Sequence, residues 1–176
     1  MAELGKKFNS GRVLIQGSNV FEEILPDFSV DTLGYGTRRF RGATALHKMI
    51  GENDLAGILE KQEFLTERAL NEFSCRYDSW SQATPLWMVV NWRGSSWMEL
   101  VKLMVNNGAD VNAIPNDKYT NSKSILGEAV KDGNIEMATF LLENGADPNG
   151  GTDTPLKLAE GNEEMKQLLL DHGAVE

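Results

Sequence analysis

One five-residue stretch, Gly108-Ala109-Asp110-Val111-Asn112, constrains this chain more than any other because it comes back. It recurs 37 residues later as Gly145-Ala146-Asp147-Pro148-Asn149, and once more, cut short, as Gly173-Ala174. Each copy closes an apolar run: Leu100 to Asn107, Ala138 to Asn144, Met165 to His172. Upstream of each stands Thr84-Pro85-Leu86, Ser124-Ile125-Leu126 or Thr154-Pro155-Leu156. Self-similarity at a period of about 20 to 50 residues marks units that cannot bury an apolar face alone and must stack on one another. The 176 residues suffice for one such domain.

The second unit is the clearest. Thr84 is a cap residue set before proline at the first helical position, where the missing N–H removes nothing from the helix. Leu86, Val89 and Val90 form its inward face, and Leu100, Leu103 and Met104 that of a second helix from Glu99 to Asn107. Gly108 then supplies the left-handed cap that a residue without Cβ adopts freely. Leu86 to Gly108 spans 22 residues against 19 from Leu126 to Gly145, so three residues of Asn91 to Met98 must bulge outward.

The other units vary this plan. The first opens at Gly42-Ala43-Thr44-Ala45-Leu46-His47, with Leu46, Met49 and Ile50 on one helical face and Leu55, Ile58 and Leu59 on a second. It lacks the closing Gly-Ala-Asp, and an insertion from Gln62 to Phe73 reads as helix with Phe64, Leu65, Ala69 and Leu70 on one side. In the third, Ala129 and Val130 face inward, Gly133-Asn134 turns, and Ile135, Thr139, Phe140 and Leu141 line the second helix. The fourth is short, and its second helix, Glu163 to His172, is polar outside, as a terminal unit must be. Residues 1–41 do not match the repeat. There Val13-Leu14-Ile15 reads as a short strand or an apolar anchor, and Phe21 to Leu25 as one helical turn ended by Pro26. The segment is too apolar for a solvated tail and is expected to pack on the first repeat.

At these residues the chain resembles the ankyrin-repeat family, whose motif runs Thr-Pro-Leu-His-x-Ala-Ala, Gly, a leucine-rich helix, then Gly-Ala-Asp-x-Asn. The resemblance covers about residues 42–176, with units near 42–82, 83–115, 116–149 and 150–176. It departs from the motif where Trp87, Gly127 and Lys157 replace the histidine kept only at His47. The resemblance implies an all-α solenoid of about four stacked helix pairs, joined by hairpin-like loops and preceded by an irregular extension at residues 1–41. It further implies no catalysis, and binding of other proteins along a concave face made of loop tips and first helices.

Charge narrows the partner. Residues 99–176 carry 6 Lys/Arg and 14 Asp/Glu, a net −8 of the chain's −9. Phosphate contacts need a basic face, so nucleic acid is not expected. No apolar run spans a bilayer, the first 20 residues do not make a signal peptide, and Ala2 does not fit N-myristoylation. The single Cys75 points to a reducing compartment, hence the cytoplasm of the source cell, or of a host cell for a delivered effector.

Little here suggests chemistry. Two histidines and one cysteine form no triad, dyad or zinc spacing, so no catalytic residue, metal or cofactor is expected. His47 is expected to hydrogen-bond backbone near the loops and His172 to sit at a helix C-terminus. Asp147-x-Asn149-x-Gly151-x-Asp153 resembles the start of a calcium loop, but Leu158 stands where its bidentate glutamate belongs.

The aromatics carry more: Trp80, Trp87, Trp92 and Trp97 lie within 18 residues. Trp87 and Trp97 are assigned to packing against the insertion; for Trp80 and Trp92 packing and binding stand level. Interfaces favour Trp and Tyr anchors. The candidate protein-binding face is therefore Tyr77, Trp80, Met88, Asn91, Trp92, Tyr119, Glu128 and Asp132. The expected partner is another protein, met by a chain that is monomeric alone. The other readings are a dedicated inhibitor or immunity protein that neutralises an enzyme or toxin through its acidic C-terminal half, and a secreted effector acting on host proteins.

Overall fold

Helix pairs form where the sequence supplies a cap, an apolar stripe and a left-handed stop in turn. In a computed structural model, which describes residues 12–14, 21–24, 30–33, 45–71, 83–115 and 123–175, α1 (Ala45–Gly51) and α2 (Leu55–Glu60) make the first pair. A 3-10 turn, Gln62–Phe64, and α3 (Glu67–Asn71) follow. The second pair is α4 (Pro85–Arg93) and α5 (Met98–Asn106), the third α6 (Ile125–Lys131) and α7 (Ile135–Glu143), the fourth α8 (Pro155–Leu158) and α9 (Glu163–Asp171). The first helices lie side by side, α1 on α4 on α6 on α8.

The caps explain where each helix starts. Thr84 Oγ1 accepts from Trp87 N–H at 3.4 Å and Ser124 Oγ from Gly127 N–H at 3.0 Å. The second helices are capped by Asp54, Asn134 and Asn162, each accepting from the N–H three residues on. Repeat two has no such cap: Trp97 precedes α5 without a side-chain bond. Its extra residues wind into a 3-10 turn, Gly94–Trp97, that exposes Ser95 and Ser96 and returns Trp97 to the core.

The turn between paired helices needs a positive φ. Gly133 supplies 66° in repeat three, and in repeat one Asn53 adopts 64°, a conformation that asparagine tolerates better than most side chains. After the second helices, Gly108, Gly145 and Gly173 stand at 91°, 86° and 91°. There Ala109, Ala146 and Ala174 donate back to Met104, Leu141 and Leu169 carbonyls at 2.9–3.0 Å, closing the last turn.

The core is continuous through the repeats: Leu46, Ile50, Leu86, Val89, Leu100, Met104, Leu126, Met137, Leu141, Met165 and Leu169 are all buried. Within the insertion Leu65, Ala69 and Leu70 join it. Leu59, expected inward, is instead exposed on α2, and Met98 and Val101 take part in the α5 face alongside Leu100.

Repeats are also tied by side-chain amides. Asn112 donates to Gly145 O at 2.9 Å and accepts from Asp147 N–H at 2.8 Å, holding the next repeat's closing loop. Asn149 does the same to Gly173 O (3.2 Å) and Val175 N–H (2.9 Å). Repeat one has no Gly-Ala-Asp-x-Asn, yet the series extends into it. Asn71, at the end of α3, donates to Gly108 O at 2.9 Å and accepts from Asp110 N–H at 2.7 Å. The insertion thus delivers the missing asparagine from a helix.

Ahead of the repeats lie three short strands, β1 (Arg12–Leu14), β2 (Phe21–Ile24) and β3 (Val30–Leu33). They pair antiparallel in sequence order, Leu14 opposite Phe21 and Ile24 opposite Val30. Strand is the correct one of the two readings of Val13-Leu14. The helical turn expected at Phe21 to Leu25 is corrected to strand at Phe21–Ile24, because ladders on both sides satisfy its backbone.

Candidate functional site

A binding face on this stack is built from whatever the first helices and loops leave uncovered. The first helices are held in register by a buried bond at the fourth motif position. His47 Nε2 lies 2.9 Å from Ala83 O, the carbonyl just before the next repeat's cap. A carbonyl only accepts, so Nε2 carries the proton. Burial pushes the His47 imidazole down to about 4, against the smaller upward pull of that backbone bond. In the next repeat Trp87 takes the same place and the same role: its indole N–H donates to Lys123 O at 3.3 Å, again just before a cap. Trp87 is half-buried scaffold. At Gly127 the side chain is gone, and a Cβ there would lie 3.2 Å from Leu158 Cδ1 of the fourth repeat.

Repeats three and four are coupled on this side as well: Lys123 pairs with Gly151 in an isolated antiparallel bridge. Tyr77, Trp80 and Tyr119, expected at loop tips, lie outside the described residues. The expected first-helix residues divide into two groups. Met88 and Glu128, expected exposed, are buried, at 4% and 6% accessibility. Both occupy the fifth motif position, which faces sideways, and α4 and α6 each have a first helix on both flanks. Lys131 reaches the Glu128 carboxylate at 3.9 Å.

The last helical turn stands clear. Trp92 is 42% exposed, Asn91 is half-buried beside it, and Asp132, the residue after α6, is exposed. These three lie at the C-terminal ends of first helices, away from the loop tips at the N-terminal ends. The structure therefore splits the expected face: Asn91, Trp92 and Asp132 keep accessible surface at the ends of adjacent helices, whereas Met88 and Glu128 are buried. One further exposed residue shares the row and was not singled out from sequence: Glu52 after α1. The signal was present, since Glu52 follows Thr44 by the eight residues that separate Trp92 from Thr84 and Asp132 from Ser124.

Other polar groups are used by the scaffold. Asp147 Oδ1 accepts from Asn149 N–H at 2.9 Å, and the Asn149 amide holds the C-terminal loop. His172 Nδ1 sits 2.9 Å from Leu168 O at the end of α9. Among the described residues, no three or more His, Cys, Asp or Glu side chains are grouped to hold a metal ion. No helix among them is long and apolar enough to cross a membrane.

Comparison with known proteins agrees with this geometry. A family model described as ankyrin repeats (3 copies) matches residues 86–175, half of the chain. A protein of Treponema pallidum (strain Nichols), named as ankyrin repeat-containing, is 37% identical over 81 residues, which cover 43% of this chain and 26% of the relative. The chain thus spans about a quarter of that relative's length.

Proposed function

The chain belongs to the ankyrin-repeat family, and from that premise we propose that it is a non-catalytic module that holds a partner protein along its first helices and loop tips. Ankyrin repeats generally serve protein–protein interaction, and the family is typically non-catalytic. The observation that carries the reading for this chain is Trp92. A large aromatic stands 42% exposed at the end of a helix whose Leu86, Met88, Val89 and Val90 are buried. Exposed aromatics of this kind anchor interfaces. Asn91 precedes it in the same helical turn, and Asp132 ends the neighbouring first helix, α6.

The test is capture of partners by the tagged chain from its source cells, followed by mass spectrometry. Trp92→Ala, with Asn91→Ala added, should shed the partner while the helical circular dichroism is unchanged. A folded variant that retains the full set of partners sinks the assignment. The second reading, an inhibitor that neutralises an enzyme or toxin, is favoured by the net −8 of residues 99–176. It requires that the captured partner be a basic protein whose activity falls on binding, and that binding weaken with salt.

A further inference from the structure

The ends of the first helices make one continuous row. Glu52, Trp92 and Asp132 each stand eight residues after the cap position, at the ends of α1, α4 and α6, which lie side by side in that order. The Glu52 and Asp132 carboxylates are exposed, and neither forms an ion pair among the described residues. Lys131, next to Asp132 in the chain, lies 3.9 Å from Glu128 instead. An indole with carboxylates on both sides attracts a cation twice over: through the ring face and through Coulomb attraction.

We propose that this row receives a protein segment bearing Lys or Arg side chains at regular intervals, with one cation on the Trp92 indole and its neighbours against Glu52 and Asp132. The proposal rests on the protein-binding reading above and names the chemistry of the partner. The spacing supports it. Packed helices lie roughly 8–10 Å apart, and a polyproline-II segment advances about 3.1 Å per residue with three residues per turn. Such a segment crossing the row presents the same face to it at every third residue, about 9 Å apart. The partner is thus an extended peptide with a cationic residue at every third position.

The probe is a fluorescein-labelled peptide of four Arg-Ser-Gly repeats, read by anisotropy in low salt. Its comparators are four Glu-Ser-Gly repeats and the same arginine peptide with its four arginines made contiguous. The spaced arginine peptide should bind best. Trp92→Ala, which leaves the net charge unchanged, should weaken it about fivefold. Glu52→Gln with Asp132→Asn should weaken it by a similar factor, about fivefold. Glu143→Gln with Glu164→Gln makes the same charge change on exposed positions of α7 and α9 and should leave affinity unchanged. Equal losses in the two double variants, or no loss in Trp92→Ala, would mean that net charge alone attracts the peptide, and would overturn the proposal. So would failure of the spaced peptide to bind. If it fails while Trp92→Ala still sheds a captured partner, the cationic chemistry is wrong and the binding face stands. If Trp92→Ala sheds nothing, the face itself falls.

Discussion

Asn71 gives the sharpest test of how the irregular first repeat is joined to the regular ones. Its side-chain amide donates to Glu67 O and to Gly108 O, both at 2.9 Å, and its carbonyl accepts from Asp110 N–H at 2.7 Å. Asn71→Ala removes both bonds that cross to the second repeat. A neutral hydrogen bond contributes a net 0.5–1.5 kcal/mol or so, and these are partly open to water, so the pair should be worth about 1–2 kcal/mol. With a urea slope near 2 kcal/mol per molar, the midpoint should fall by roughly 0.5–1 M. Tryptophan fluorescence reads the transition. The proper comparator is Asn112→Ala, which breaks the matching pair to Gly145 O and Asp147 N–H, and the two losses should agree within about a factor of two. Asn71→Asp should be worse than Asn71→Ala, because it sets a carboxylate against the Gly108 carbonyl oxygen where a donor stood. Amide exchange adds a local readout: the Asp110 N–H should lose protection in Asn71→Ala. If Asn112→Ala destabilises while Asn71→Ala leaves midpoint and Asp110 exchange unchanged, Asn71 is not the missing rung.

Three further outcomes follow from the buried motif positions. His47 is neutral in the fold, with its pKa lowered to about 4, whereas the unfolded chain takes up a proton near 6.5. Its contribution is therefore complete above pH 6.5 and declines as pH falls toward 4, by up to about 1.4 kcal/mol per pH unit. Urea midpoints across that window should show the slope, and His47→Gln should flatten it. Trp87→Phe keeps the ring but loses the 3.3 Å bond to Lys123 O, so calorimetry should show a loss of about 1 kcal/mol. Restoring the motif histidine as Gly127→His should destabilise by about 1–3 kcal/mol in the same assay, because Leu158 Cδ1 already lies 3.2 Å from the Cβ position.

What the sequence made legible was whatever a residue decides locally. Gly108 reads as a left-handed stop and is one, as are its copies Gly145 and Gly173, and Thr84 reads as a cap and accepts the expected N–H group. His47 likewise bonds backbone beside a loop. The rest required knowing what packs where. Helical spacing places Met88 and Glu128 on a face, but only the neighbouring helices decide that this face is covered. Asn53 carried a readable signal, an asparagine before the cap Asp54, yet its φ of 64° matters only because the turn geometry of Gly133 must be matched. Asn71 had no local signal, since its partners are 37 and 39 residues away. β2 was misread because Phe21-Glu22-Glu23-Ile24 has no strand alternation of its own; its ladder to β3 defines it.

The motif histidine position shows why the departures, and not the matches, hold what is particular to this chain. The position must donate one hydrogen bond to the carbonyl before the next cap, and His47 and Trp87 both do so. Since an indole serves as well as an imidazole, the repeat constrains the donor and leaves the residue free. Where Gly127 offers no donor, Leu158 fills the volume instead, so packing replaces the bond. Neither compensation reaches the last turn of α4, where Trp92 stands 42% exposed and no hydrogen bond of its indole is found among the described residues. On the proposed function, the identity of the residue at this place answers to what lies outside the stack, and replacing Trp92 separates that reading from a purely structural one.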